Sequence, residues 1–347
     1  MRSAKIIRAS KVLILLTALF SVSFKVSGKE IKPVSSEQFV LKVEGVSDMG
    51  PQNISGGASN IGIGKAVLVD DGGASPANDI YFWDGSASNI LRSANFSLPT
   101  KHTDIEAATW SGTHPYIATS MTNRDPADSS GNLLTLINYS TSCQCALSVS
   151  SRNFRPIILD AFKKVFEKKW YLRVSTAASK KGGINVEGLS YVYGRKDALM
   201  VGFRSPLSSE NFGDPELDPE YSYYNGNAIV LEVADPMGSR PEVRVHELDL
   251  QGQGVRSMEY SILADGYFIV SGPANVGNDY ALWFWDMQRN DLQRMSVDGF
   301  SDLCRPETVF EWIDNDVAYL YVLSERAGKF CKDMTFDALR VRLDELK

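Results

Sequence analysis

Histidine is scarce in this chain of 347 residues: only His102, His114 and His246 occur, and they are not spaced as metal ligands. That argues against a zinc centre, which draws on His and Cys at short, regular intervals. Basic blocks are missing as well. The net charge is −6 and no lysine cluster exceeds the pairs Lys163-Lys164 and Lys168-Lys169, so the concentrated Lys/Arg face of a nucleic-acid-binding protein is absent. There is no P-loop, no H-E-x-x-H pair and no EF-hand loop, and Gly188-Leu189-Ser190-Tyr191-Val192 lacks the second glycine of a G-x-S-x-G elbow. His102, two residues before Asp104, has no nucleophile paired with it and reads as a solvated loop residue. Long apolar runs are lacking too. Val12–Phe20 falls short of the roughly 20 residues that a membrane-spanning helix needs, and no other segment could span a bilayer.

The start of the chain does carry a signal. Arg2, Lys5, Arg8 and Lys11 precede that apolar run, and small residues follow at Ser23, Ser27 and Gly28. This is the shape of a secretory signal peptide. It predicts removal of residues 1–28, export to the periplasm or beyond, and a mature chain of 29–347 forming one domain with no membrane span. Four cysteines suit an oxidising compartment and allow three pairings. Cys304 and Cys331 flank one structural unit and are expected to pair; Cys143 and Cys145 are either bridged locally or reduced.

Aromatic residues are plentiful, with 6 Trp, 14 Tyr and 16 Phe, and apolar stretches are short, which favours strands over helices. A four-strand pattern with Gly, Ser and Asn turns recurs along the chain. It is clearest at Gly183–Ser190 followed by Ala198–Pro206. Copies begin near Ser55, Glu106, Glu187, Glu259 and Glu307, at steps of 51, 81, 72 and 48 residues. The last copy lacks a fourth strand, and the alternating segment around Phe39–Val43 has no neighbour in sequence to pair with. Together they predict an all-β propeller of five visible blades, a sixth not excluded, closed by its N-terminal strand. Pro156–Trp170 has apolar residues at helical spacing and predicts one inserted helix, at about 155–170. Ser208–Asn227, rich in acids and tyrosines, predicts a long loop on one face.

Aligning the copies by chemistry puts Ser55, Glu106, Glu187, Glu259 and Glu307 in one column. The first strand of each propeller blade lines the central channel, so these side chains would converge. Clustered carboxylates resist ionising unless something compensates. Ca²⁺, with its oxygen ligands and loose geometry, is one answer; buried pairing with Arg204, Arg256 or Arg305 is another. A third reading is structural, with the recurring polar residue hydrogen-bonding the next blade's backbone. Asp70 and Asp104 lie close to the same level and are candidate ligand residues with Arg204.

Asn185–Ser190 followed by Leu199–Pro206, with Asp104–Trp110, resembles a bacterial exported family known as a domain of unknown function. Its hallmark reads roughly I-E-G-L-A and then V-G-L-R-G-P. The likeness runs from about Asn53 to Leu343 and implies a propeller fold without an established activity. Glu187-Gly188 is also distantly similar to the E-G-[IL]-A step of phytase-like propellers, which implies Ca²⁺ and ester or phosphoester hydrolysis. Two functional expectations follow. One is a non-catalytic scaffold in the cell envelope for a small molecule, a glycan or an envelope protein, using the Ser208–Asn227 loop and exposed aromatics. The other is a Ca²⁺-assisted hydrolase with Glu106, Glu187, Glu259 and Glu307 on the metal and Arg204 on substrate.

Overall fold

Every repeat copy opens with a strand in which one residue too many has been inserted. In the computed structural model, which describes residues 29–30, 34–39, 42–43, 54–70, 80–84, 90–93, 105–111, 114–119, 133–140, 143, 145–179, 182–195, 197–208, 226–274, 277–324, 331 and 338–346, these strands are the innermost of five antiparallel sheets. Blade 1 is built from Ile54–Asn60, Lys65–Asp70, Ile80–Trp83 and Ile90–Ser93, and blade 2 from Ile105–Ser111, His114–Thr119, Leu133–Ser140 and Cys145–Asn153. Blade 3 contains Asn185–Tyr191, Ala198–Leu207, Ala228–Ala234 and Glu242–Leu248; blade 4 contains Gly254–Ser261, Gly266–Gly272, Ala281–Asp286 and Asp291–Met295. Blade 5 takes Pro306–Asp314, Val317–Ser324 and Ala338–Arg342 from the C-terminal part of the chain. The described residues thus form a five-bladed all-β propeller. The long steps between copies hold insertions: helices before blade 3, and the 208–227 connection inside it.

Five hydrophobic clusters, one between each pair of neighbouring blades, make up the core. Val67, Ile105 and Trp110 join blades 1 and 2, while Trp83 of blade 1 packs on Trp312 of blade 5, ring centroids 5.1 Å apart. Strand alternation explains this, because each sheet turns one set of apolar residues to the blade before it and the other set to the blade after. Near the axis the strands must come close. A Cβ on Gly56 would lie 2.7 Å from the Cα of Ala107 in blade 2, and one on Gly188 would lie 2.6 Å from Val255 Cγ1 in blade 4. Glycine is required at both places by close approach.

The N-terminal segment closes the ring, as the missing fourth strand predicts, but not as one continuous strand. Ser36–Phe39 pairs antiparallel with Ala338–Arg342 in blade 5. Lys29–Glu30 adds in parallel to the outer strand of blade 4, and Lys42–Val43 adds in parallel to Ile90–Leu91 of blade 1. Three blades are stitched by one short stretch. Cys304 and Cys331 are disulfide-bonded across a separation of 27 residues, as expected; Cys143 is disulfide-bonded too, and no cysteine among the described residues is free.

The expected single helix is two, Arg155–Val165 and Lys168–Thr176. At 3.6 residues per turn an unbroken helix would carry Trp170 about 130° away from the buried face of Ile158, Ala161 and Phe162. The break at Phe166–Glu167 brings it back. Trp170 is fully buried, stacks on Phe166 at 4.1 Å and donates from Nε1 to the Leu207 carbonyl at 3.1 Å. Both helices fill the wedge between blades 2 and 3. Among the described residues no helix is long and apolar enough to cross a membrane.

Candidate functional site

The inserted residue in each innermost strand is a β-bulge, where two residues oppose one on the next strand. The register skips Ser55, Glu106, Glu187, Arg256 and Glu307 in blades 1 to 5. A bulge turns its extra side chain away from the ladder, here towards the axis. Four of the five residues in the column aligned by chemistry are therefore equivalent. The fifth is corrected: Arg256, not Glu259, occupies the blade 4 position. Alignment on the acid chose the wrong residue because Glu259 lies three positions further along the same strand.

That substitution decides the electrostatics of the first mouth of the channel. Arg256 Nη1 donates to Glu187 Oε2 at 3.0 Å and to Glu307 Oε1 at 2.6 Å, spanning blades 3, 4 and 5. Arg204, from the second strand of blade 3, donates to Glu187 Oε1 at 3.0 Å, and Asn185 donates to the same oxygen at 2.9 Å. Both guanidinium groups also donate to the Pro273 carbonyl. Burial works against ionising Glu187, but Arg256, then Arg204, and the hydrogen bonds from Arg204 and Asn185 outweigh it and hold its carboxyl below the usual range. Burial likewise opposes the charge on Arg256, yet Glu187, Glu307 and, further off, Glu106 keep its proton more firmly than usual. Ser55 takes the structural role. Its hydroxyl donates to the Ile105 carbonyl of the next blade.

Asp70 is buried at the same level, opposite Ile54 in register. Asp104, His102, Asp71 and residues 209–225 of the predicted loop lie outside the described residues. His246 sits far from the channel, on the outer strand of blade 3, against Glu232 Oε2 at 3.2 Å.

Of the four expected calcium ligands, Glu187 and Glu307 are bonded to Arg256. The guanidinium of Arg256 stands between Glu187 and Glu307, where a cation would have to sit, and Glu259 is at the opposite mouth. Among the described residues no three His, Cys, Asp or Glu side chains converge as a metal-ligand set.

The opposite mouth holds a pocket of about 230 Å³, lined among others by Trp110, Tyr191, Tyr193 and Tyr260, with Glu259 and Glu311. Glu259 Oε1 accepts from the Ser59 backbone of blade 1 across the channel at 3.4 Å; its Oε2 is buried without a hydrogen-bond partner. Burial, then the Glu311 carboxyl, pushes the Glu259 proton affinity well up. Glu311 accepts from the Ser261 hydroxyl and from the Ile262 backbone at 3.1 Å; burial raises it despite these bonds. Tyr193 stacks on Tyr260 at 5.2 Å and is more than half exposed, beside exposed Ile262. Sequence reasoning singled out Glu259 but missed Glu311 and the aromatic walls, because strand periodicity marks such residues simply as core.

No family model matches the chain, and the search among curated proteins returned no match. Solved structures are similar only at low identity. A GH43_1 enzyme from Xanthomonas citri, in complex with xylose, is 7% identical with a TM-score of 0.45, covering 88% of this chain and 89% of its own. A protein assigned as a 6-phosphogluconolactonase from Bacteroides uniformis is 10% identical with a TM-score of 0.38 over 80% of this chain. Hydrazine synthase from Kuenenia stuttgartiensis is 8% identical with a TM-score of 0.33 over 81% of it. The chain spans 66% of the lactonase chain and 58% of the synthase chain. Likeness at this level bears on neither activity nor ligand.

Proposed function

We propose that this protein is an exported propeller that binds a small molecule without transforming it. The observation that carries the reading is the pocket at the second mouth, where a buried carboxyl oxygen of Glu259 has no partner. An unsatisfied buried polar group costs about 1–3 kcal/mol, and a ligand that reaches it would recover that cost. Aromatic walls with a few convergent polar groups are the common composition of small-molecule sites. At about 230 Å³ the pocket is of a size that suits a small molecule. Export rests on the basic and apolar start of the chain and agrees with the paired cysteines.

A Ca²⁺-assisted hydrolase has less support. Glu187 and Glu307 are already paired with Arg256, and Glu187 with Arg204 as well, and Glu259 is separated from them along the channel. The test of the binding reading is a ligand-detected NMR screen of a fragment library on the mature chain and on Gly62→Phe. Gly62 lines the pocket, and a Cβ there meets nothing nearer than Asn60 Oδ1 at 3.4 Å, so the variant keeps the fold and obstructs the site. Binders lost in the variant are expected. A screen without binders, or binders indifferent to Gly62→Phe, would overturn the reading.

A further inference from the structure

We propose that the ligand of the second-mouth pocket is a compact protonated amine, held by Glu259 beneath the rings of Tyr191, Tyr193, Tyr260 and Trp110. The inference rests on the binding reading above and narrows it to a ligand class. Its basis is the contrast between the two mouths. At the first, the buried carboxylates of Glu187 and Glu307 meet the Arg256 guanidinium. At the second, Glu259 and Glu311 line a pocket whose described lining residues include no Lys, Arg or His. Once ionised, Glu259 offers an acceptor at Oε2, which has no hydrogen-bond partner, and four aromatic rings line the same pocket. Aromatic faces attract cations, the more so where water is excluded, and an ammonium N–H supplies the donor that Oε2 lacks.

The titratable groups packed around Glu259 are Glu311 from blade 5, Tyr191 from blade 3 and, within blade 4, Tyr260 and Tyr267; Ser59 and Trp110 from blades 1 and 2 carry no titratable group. The tyrosines are held neutral: burial comes first for all three, and nearby carboxyls raise them further. The group that must change state is therefore Glu259. An arriving ammonium leaves it ionised, and the carboxyl proton goes to solvent. Amine binding should then strengthen as pH rises from 6 to 8 and release a proton into the buffer.

The probes are benzylammonium and its neutral counterpart benzyl alcohol, titrated calorimetrically into the mature protein at pH 6, 7 and 8 in two buffers of different ionisation enthalpy. The expected result is binding of benzylammonium at least tenfold tighter than benzyl alcohol, a buffer-dependent enthalpy, and a loss of tenfold or more in Glu259→Gln. Tyr193→Ala, a change at an exposed ring, should weaken binding several-fold in a protein that melts normally. Equal binding of the alcohol, or amine binding unchanged in Glu259→Gln, would overturn the amine inference while the binding reading stood. If neither probe binds and the fragment screen is also empty, both fall. If neither binds but neutral fragments occupy the pocket, only the amine inference falls.

Discussion

Arg256 is the residue on which the first mouth depends. It joins Glu187 to Glu307, and both carboxylates are buried. Removing one member of a buried ionic set strands the others, at a cost of about 3–5 kcal/mol. Arg256→Met should therefore lower the thermal midpoint sharply, whereas Glu187→Gln, which leaves a hydrogen-bonding isostere, should cost less; differential scanning calorimetry at pH 7 separates them. The two mouths also respond oppositely to pH. Glu187 has a depressed folded-state proton affinity, so its contribution is present above its ordinary value near 4.5 and is lost as pH falls through the lower folded value. Glu259 is raised, so its contribution is complete below 4.5 and is lost as pH rises through the folded value. A thermal midpoint measured from pH 4.5 to 8.5 should consequently rise less, or fall more, in the wild type than in Glu259→Gln. At pH 8 the variant should melt roughly 2 °C higher, the scale of a 1 kcal/mol gain.

At the scale of elements, the ring is held shut by four residues. Ser36–Phe39 supplies the outer strand of blade 5, with Phe39 edge-on to Tyr321 at 5.5 Å and Glu37 bonded to Arg340 at 2.8 Å. A chain beginning at residue 34 should melt close to one beginning at residue 29, and one beginning at residue 41 should lose cooperativity or melt far lower, as followed by circular dichroism. A truncation at 41 with an unchanged midpoint would show that closure is not carried by this strand. This closure was legible in the sequence, since blade 5 ran out of strands where Phe39–Val43 had none to pair with. The blade 4 register was not. Its true signature is an apolar residue, a variable one and a small one: Ile54-Ser55-Gly56, Ile105-Glu106-Ala107, Val186-Glu187-Gly188, Val255-Arg256-Ser257 and Pro306-Glu307-Thr308. The small residue is set by backbone crowding near the axis, whereas the variable residue faces the axis, where either charge can find a partner. Alignment on charge therefore followed the position under the weaker constraint. The second helix was hidden for a related reason. What breaks the first helix is the need to bury Trp170, a tertiary demand that local periodicity does not contain.

For the molecule as a whole, five blades leave a narrow axis, and its width is set by backbone against backbone. Gly56→Val should therefore be felt beyond blade 1. Its side chain would press on the Ala107 Cα and the Glu106 carbonyl, neither of which can rotate away, so blades 1 and 2 must part. Overpacking of this kind costs about 1–3 kcal/mol, and the bulge residue Glu106 would move with its strand. Calorimetry gives the first effect. Loss of amide exchange protection at Ala107 and Ala108 gives the second. An equal-sized change at exposed Gly64 is not a fair control, because its φ of 62° already disfavours any side chain; Gly62 is the better reference.

The pairing of Glu37 with Arg340, 303 residues apart in the chain, has a consequence for how the molecule comes into being. Contacts at such separation form late, since the intervening chain must first be ordered. Until Ala338–Arg342 arrives, Ser36–Phe39 has no partner in its own sheet, and blade 5 presents an open edge of the kind that recruits other strands. The commitment to the native ring is made when Ser36–Phe39 meets Ala338–Arg342. A chain that stops short of residue 338 keeps most of its blades and none of its closure, and is the form to watch for aggregation.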